Sequence, residues 1–156
     1  MNATTDTNAP ARIRRVYSEL RETVAEYGIE GERAPDQFSI FRLLQPLIGS
    51  QAQEVFCALM LDGKYRVTAY AEITRGTLTA SLVHPREVFG PAVRLGAAAL
   101  IVAHNHPSGD PEPSAEDLNV TKRLSEAGAL LGIPLLDHVI LGADSCVSLR
   151  ARGVLT

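Results

Sequence analysis

The chain has 156 residues, of which 46% are hydrophobic and 21% are charged, and its formal net charge at pH 7 is -3. This balance is typical of a globular protein that buries its own core, and it excludes a disordered or fibrous chain. Because the net charge is negative and the Arg and Lys residues are scattered, we do not expect nucleic acid as a tight direct partner.

The first 50 residues predict a helical extension ahead of a main domain that spans residues 51–156. The N-terminal sequence MNATTDTNAP has neither the basic nor the apolar region of a signal peptide. No stretch of the chain approaches the ~18 uninterrupted apolar residues of a membrane span. We therefore expect a cytoplasmic protein that does not cross a membrane.

Two helices are predicted within this extension. Residues 11–28 place apolar side chains at helical spacing and end at Gly28, which suits the left-handed position that follows a helix. A second, short helix should begin after Asp36, which can cap it, and should be broken by Pro46 and Gly49. The side chains expected to face inward from the second helix are those of Phe38, Phe41 and Leu44.

The alternating pattern that follows predicts a β-hairpin. The runs VFCALML (residues 55–61) and YRVTAYAEIT (residues 65–74) flank the turn sequence DGK. Residues 77–83 (TLTASLV) continue in strand character, and a helix should begin at Pro85. The apolar face of this helix is expected to carry Val88, Phe89, Ala92 and Val93.

Strand and helix alternate in the C-terminal half. Residues 96–106 (GAAALIVAHNH) are typical of a buried strand, and residues 114–132 predict a helix that ends at Gly128 or Gly132. Residues 134–149 then contain two closing strands. This alternation predicts an α/β fold, a three-layer α/β/α sandwich with a mixed sheet.

The two cysteines are predicted to serve core packing. Cys57 and Cys146 both lie in apolar stretches, where a cysteine acts as a small hydrophobic residue. Their number and spacing exclude a CxxC zinc site, and free thiols agree with a reducing compartment.

Two histidines at the end of a predicted strand suggest a metal site. His104 and His106 stand two residues apart, so the period of a strand directs both imidazoles to the same face. A hydrolytic site of the zinc type takes three protein ligands and leaves the fourth position to water. Asp117 is the natural third ligand, because residues 107–113 can turn the chain back over the strand end. The alternative is a capping box, with Ser114 as N-cap and Asp117 reaching back to it, and the residues alone leave both open.

Such a site also needs a proton carrier, and four glutamates are candidates. A nearby carboxylate would take a proton from the attacking water and return one to the leaving amine. Glu87 and Glu116 lie in first helical turns, where acidic residues are common, and Glu72 lies on an alternating strand that could face solvent. Glu54 precedes the apolar run VFCALML, where a charge is harder to explain, although a solvated strand end is an equal alternative.

These residues resemble the JAMM motif of the JAB/MPN+ metalloproteases. That motif has an upstream glutamate, then H-x-H, then S-x-x-D after seven intervening residues, and it matches Glu54, His104, His106, Ser114 and Asp117. More narrowly, QEVFCALMLD, VHPREVF, LIVAHNHPSGDPEPSAED and LGIPLLDHVILG are similar to the short form of the bacterial RadC family. The resemblance extends over residues 51–153.

The resemblance implies a specific fold and a specific site. The fold would be the deaminase-like α/β/α sandwich of the JAB/MPN domains. One zinc ion would be held by His104, His106 and Asp117, with water as the fourth ligand. Glu54 would be the general acid and base, and Ser114 would donate a hydrogen bond to the tetrahedral oxyanion.

The function implied is that of a zinc-dependent metallohydrolase, a peptidase or isopeptidase that acts on a peptide or protein substrate. The alternative is a DNA-repair-associated or non-catalytic accessory module with a structural zinc. Long members of the RadC family carry a helix-hairpin-helix DNA-binding region ahead of this domain, and residues 1–50 do not show its glycine-rich hairpin. Structural zinc sites use four protein ligands, so the three found here favour the enzyme. Both a monomer and a homodimer remain open.

Two further histidines lie outside the motif. His84 precedes Pro85 and is interpreted as a turn residue, and His138 is interpreted as a strand residue. A contact of His138 behind the metal ligands is the alternative for that residue.

Overall fold

Five strands pair into one mixed sheet in the part of the chain that the computed structural model describes, residues 36–76 and 83–156. The strands are β1 Val55–Leu61, β2 Val67–Arg75, β3 Ala99–Asn105, β4 Leu135–Leu141 and β5 Cys146–Ser148. They lie in the order β2-β1-β3-β4-β5. β3 runs parallel to β4, and all other neighbours are antiparallel. The predicted hairpin is confirmed as β1 and β2.

The described residues form three α-helices, which are α1 Gln37–Leu44, α2 Pro85–Arg94 and α3 Ala115–Leu131. Asp36 caps α1 as predicted, because its carboxylate accepts a hydrogen bond from the Ser39 N–H at 2.8 Å. α1 continues into a π-helical turn at Gln45–Gly49. α3 ends at Gly132, whose φ of 70° is the left-handed conformation that glycine adopts readily. Because α3 connects the parallel strands β3 and β4, these three elements form one βαβ unit.

Helices cover both faces of the sheet, so the predicted three-layer α/β/α fold is confirmed. Side chains alternate along β1 and β3, and both strands are buried along their whole length. The core on the α1 face includes Ile40, Leu44, Ile48, Val55, Cys57, Leu59 and Ile101. The core on the α2 and α3 face includes Phe56, Met60, Val88, Phe89, Leu100, Val102, Val120 and Leu124.

The predicted inward orientation of two residues, Phe38 and Val93, is wrong. Phe38 is 58% exposed, because α1 packs on the sheet through Ile40 and Leu44, and Phe38 lies roughly 200° around the helix from Ile40. Val93 is 57% exposed, because Val88 and Ala92 define the buried side of α2 and Val93 is turned about 100° away from Ala92. Single exposed apolar residues of this kind are common.

The two cysteines are free in this structure and both contact apolar surroundings. Cys57 is fully buried in β1, and burial raises the pKa of its thiol well above the usual value. Cys146 is only partly buried, and it packs against the α1 face of the core.

Several predictions lie outside the described residues. These are the helix over residues 11–28 and the strand character of residues 77–82. The division of the chain at residue 50 stays a prediction, although α1 packs against the sheet itself. Within residues 36–76 and 83–156, none of the helices has the length and apolar character needed to cross a membrane.

Two helical glycines provide a matched test of the packing. A Cβ at Gly128 in α3 would lie 2.5 Å from the Ile133 carbonyl oxygen and 3.2 Å from Cζ of Phe89, whereas a Cβ at Gly90 in α2 would meet nothing within 4 Å. We expect Gly128→Ala to lower the free energy of unfolding by ~1–3 kcal/mol through overpacking. Gly90→Ala should change it by less than ~1 kcal/mol, because its gain in helix propensity is opposed by the restriction that Pro91 places on the preceding residue. Urea denaturation followed by circular dichroism measures both, and equal effects of the two changes would contradict the packing.

Candidate metal centre

The two candidate histidine ligands lie at the carboxyl end of β3. His104 belongs to the strand and is fully buried. His106 follows the strand, and its N–H donates to the Leu141 carbonyl at the end of β4 at 2.8 Å. The Nε2 atoms of the two imidazoles lie 3.0 Å apart. The spacing of two residues therefore brings two nitrogen donors to one point, as the sequence predicts.

Asp117 lies in the first turn of α3 and faces both imidazoles. Its Oδ1 is 3.2 Å from Nε2 of His104, and its Oδ2 is 3.4 Å from Nε2 of His106. The same carboxylate completes the capping box, because Oδ2 accepts from the Ser114 N–H at 2.7 Å while Oγ of Ser114 accepts from the Asp117 N–H at 3.1 Å. The two interpretations that the sequence leaves open are thus compatible, because the capping hydrogen bonds orient the Asp117 carboxylate towards the two histidines.

Glu54 directly precedes β1, which pairs with β3 so that Phe56 lies opposite His104. Its Oε1 is 3.6 Å from Nε2 of His104 and 3.7 Å from Nε2 of His106. Ligand atoms of four residues, all within 4.8 Å of one another, form a group that could hold a metal ion: Glu54, His104, His106 and Asp117. These four residues are the candidate metal centre.

The other three glutamates lie outside the centre. Glu72 on β2 forms an ion pair with Arg75 at 2.8 Å, and Glu87 forms one with Arg86 at 3.1 Å. Glu116 is exposed on α3. Of the four glutamates considered as proton carriers, the structure brings only Glu54 to the histidines.

Asn105 holds the segment that carries Glu54, a role that the sequence analysis missed. Its side chain points to the face opposite His104 and His106, as alternation along a strand requires. Its Oδ1 accepts from the Val55 N–H at 2.7 Å, and its Nδ2 donates to the carbonyls of Gln53 at 3.1 Å and Gln51 at 3.3 Å. The sequence contains one indication of this role, because Asn105 is a polar residue between two candidate ligands in an otherwise apolar strand.

His138 on β4 and Thr121 on α3 lie directly behind the centre. Nε2 of His138 is 2.8 Å from Nδ1 of His104, and Nδ1 of His138 is 2.6 Å from Oγ1 of Thr121. All three side chains are fully buried. The contact considered as an alternative for His138 is therefore present. Thr121 was missed, although it stands one helical turn after Asp117 and so shares its face of α3.

Burial and adjacent groups shift the pKa values around the centre. Burial alone would raise the pKa of the Asp117 carboxyl, but the adjacent imidazoles of His104 and His106 outweigh burial and hold this pKa well below its usual value. The adjacent Asp117 carboxylate in turn raises the pKa of His106. Burial, with a further contribution from His104, lowers the pKa of His138 well below that of an ordinary imidazole. Asp117 is accordingly an anion and His138 a neutral ring at pH 7.

Ser114 is the N-cap of α3 and is exposed. Its hydroxyl oxygen already accepts from the Asp117 N–H, and its hydrogen is the part that could be donated to a substrate oxygen. Its role as an oxyanion donor stays a prediction.

The donor set fits a metal ion of the zinc type. Two imidazole nitrogens and a carboxylate oxygen are ligand atoms that zinc takes in hydrolytic sites. Nδ1 of His106 lies 2.8 Å from the Asp110 carbonyl oxygen, which can only accept a hydrogen bond. Nδ1 therefore carries the hydrogen, and Nε2 presents its lone pair to the centre, as metal-binding histidines do.

Comparison with known sequences agrees with this geometry. The family model described as a RadC-like JAB domain matches residues 35–154. The chain belongs to the RadC family. The resemblance that the sequence motifs indicated is thereby confirmed, and the RadC-like JAB domain includes the candidate metal centre and the helices that cover the sheet.

Curated relatives of this RadC-like domain carry the name UPF0758 protein. The chain is 49% identical over 125 residues to one from Syntrophotalea carbinolica, covering 80% of this chain and 55% of the relative. It is 53% identical over 103 residues to UPF0758 protein GSU0386 from Geobacter sulfurreducens, covering 66% of this chain and 45% of the relative. The chain thus spans about half the length of the curated relatives it matches.

The contacts of Asn105 generate a test of how the Glu54 segment is held. Asn105→Asp keeps the shape and the acceptor for Val55 but removes both donors and places a carboxylate against two carbonyl oxygens. We expect the free energy of unfolding to fall by ~1–3 kcal/mol and the Val55 amide to exchange faster with solvent.

Asn119 on the exposed side of α3 provides the control, because Asn119→Asp makes the same chemical change without buried partners. Its effect on stability should stay within ~0.5 kcal/mol. Chemical denaturation and amide exchange measure both variants, and an Asn105→Asp protein that matches the control would show that the segment is held by other contacts.

Proposed function

We propose that the chain is a zinc-dependent metallohydrolase domain of the JAMM type, a peptidase or isopeptidase. His104, His106 and Asp117 hold the zinc ion, and Glu54 is the general acid and base. The observation that carries this proposal is the candidate metal centre itself, in which nitrogen and oxygen donors from four residues lie within 4.8 Å of one another. Membership of the RadC-like JAB domain family supports it.

A hydrolytic role agrees with the ligand count. Structural zinc sites are closed by four protein ligands, whereas hydrolytic sites use three and leave one position for the reaction. Oxygens of Asp117 lie within 3.4 Å of the two histidine Nε2 atoms, and Oε1 of Glu54 lies farther away, at 3.6 and 3.7 Å. We assign Glu54 to a place beside the ion rather than to a fourth ligand position because the JAMM motif implies it, and the metal content of Glu54→Gln tests this assignment.

Glu54 and Ser114 have different roles in the proposed hydrolysis. A bound zinc ion acidifies water and polarises a carbonyl oxygen. The Glu54 carboxylate accepts a proton from the attacking water and delivers it to the leaving amine. The Ser114 hydroxyl donates a hydrogen bond to the oxygen on which negative charge develops.

The substrate proposed for this site is a peptide or protein. The proposed location is the cytoplasm, and the active form would be a monomer or a homodimer. The net charge of -3 supports only weak, non-specific attraction to nucleic acid. The competing function is that of a DNA-associated accessory module with a structural ion. Tight, sequence-selective binding of duplex DNA in a mobility-shift titration would favour that competitor.

Metal analysis tests the histidine ligands. We expect purified protein to carry about one zinc ion per chain, and we expect His104→Ala or His106→Ala to remove it because each takes away one of three ligands. His84→Ala is the control, since His84 occupies the N-cap position of α2 outside the centre and its loss should leave the metal content unchanged. Mass spectrometry of the metal in each variant makes the comparison. Unchanged metal in both ligand variants would refute the site.

Two near-isosteric changes separate the ligand from the proton carrier. Asp117→Asn removes the charge next to both imidazoles and should weaken zinc retention together with activity. Glu54→Gln should keep the zinc and lose on the order of a hundredfold or more in turnover, because the carboxylate that moves the proton is gone.

Metal content and turnover of a peptide or isopeptide substrate are the two readouts for these variants. Glu72→Gln is the control, because Glu72 lies in an exposed ion pair with Arg75 on β2. Zinc loss in Glu54→Gln would make Glu54 a ligand, and full activity in that variant would exclude it as the base.

A further inference from the structure

We propose that Thr121 and His138 are positioning residues that fix the hydrogen of His104 on Nδ1, so that its Nε2 offers a lone pair to the candidate metal centre. The inference rests on the metal-binding part of the proposed function. It assigns a role to two buried side chains that lie outside the four residues of the candidate metal centre.

The first step is the Thr121 hydroxyl. Its Oγ1 lies 2.6 Å from the Asp117 carbonyl oxygen, and two oxygens at that distance repel unless a hydrogen lies between them. A carbonyl can only accept, so the single hydroxyl hydrogen of Thr121 is committed to Asp117. Oγ1 therefore has only lone pairs left to offer.

The second step is the His138 ring. Its Nδ1 lies 2.6 Å from Oγ1 of Thr121, and this contact also requires a hydrogen. Because Thr121 has none left, Nδ1 of His138 must carry it. The ring is fully buried, which favours the neutral imidazole, so Nε2 of His138 holds a lone pair.

The third step reaches the proposed ligand. Nδ1 of His104 lies 2.8 Å from the lone pair on Nε2 of His138, so Nδ1 of His104 carries a hydrogen and donates it. The lone pair of His104 then lies on Nε2, beside Asp117 and His106. The opposite arrangement would put the hydrogen on Nε2 of His104, where Oδ1 of Asp117 at 3.2 Å would accept it and compete with a metal ion.

Packing keeps this chain of hydrogen bonds in place. The Phe56 ring stacks on His104 with centroids 5.9 Å apart and meets His138 edge-on at 5.5 Å. The Asp117 carbonyl that receives the Thr121 hydroxyl belongs to the same residue whose carboxylate faces the centre. The orientation of His104 is thus set from the interior, whereas that of His106 is set by the Asp110 carbonyl in the exposed loop.

Nuclear magnetic resonance of the metal-free 156-residue chain with ¹⁵N-labelled histidine tests the wild type directly. Two-bond correlations between ring nitrogens and ring hydrogens report which nitrogen is protonated. We expect His104 and His138 both to carry their hydrogen on Nδ1. A wild-type His104 that lacks a hydrogen on Nδ1 would overturn the proposal.

A matched pair of variants tests the consequence for the metal. Thr121→Val removes the hydroxyl at constant shape, and Thr121→Ser retains it. We expect Thr121→Val to move the His104 hydrogen to Nε2 and to weaken zinc binding, measured by competition with a chromophoric chelator, by about tenfold to a hundredfold. Thr121→Ser should keep the wild-type tautomer and bind zinc more tightly than Thr121→Val. Equal affinities, or an unchanged tautomer in Thr121→Val, would overturn the proposal.

A second pair of variants, at His138, tests the same role if circular dichroism shows that Thr121→Val does not fold. The amide oxygen of His138→Gln can accept from Nδ1 of His104, and His138→Phe cannot, so the Gln variant should bind zinc about tenfold more tightly. Equal affinities of these two would refute the role. Failure of the proposed function and failure of this inference give different results. A wild type without zinc or hydrolytic activity contradicts the proposed function, whereas the tautomers of the metal-free chain decide this inference in either case.

Discussion

The buried carboxylate of Asp117 is the constraint on which the rest of the structure depends. Its side chain is 2% exposed, and an ionised group that is removed from water must be compensated by donors or cations. The Ser114 N–H at the start of α3 is one such donor, and the carboxylate otherwise faces Nε2 of His104 and His106 at the end of β3, where a bound cation would compensate its charge. The contacts that make this charge tolerable therefore also dock the helix on the strand and gather the ligands.

Three consecutive residues at the end of β3 serve both faces of the sheet. His104 and His106 face α3 and form the metal side of the centre, while Asn105 faces the other way and binds the backbone around Glu54. Because alternation is a fixed property of a strand, the distance between the two histidines and Glu54 is set by backbone geometry. A shift of one residue in the pairing of β1 with β3 would exchange the two faces and destroy the arrangement.

Much of this could be predicted from the sequence, because local patterns determine it. Apolar periodicity located the strands and helices, and the spacing of His104, His106 and Asp117 predicted that these three side chains would come together. The supporting residues could not be predicted in the same way. Thr121 and His138 stand 17 residues apart and meet only when α3 packs on the sheet. The exposure of Phe38 likewise depends on which side of α1 meets the sheet.

The residues of the candidate metal centre that belong to the βαβ unit resist local opening more than Glu54, which lies outside that unit. His104, Asp117, Thr121 and His138 all belong to β3, α3 and β4, whereas Glu54 lies in the irregular segment before β1, to which Asn105 is bound. Proteins open in contiguous cooperative units, and a ligand bound only by the folded form stabilises the unit that holds it. A bound ion would thus protect residues 99–141 from opening more than it protects residues 51–54. Under the proposed function, Glu54 would therefore be the part of the candidate metal centre that opens first, while the ion stays bound to the βαβ unit.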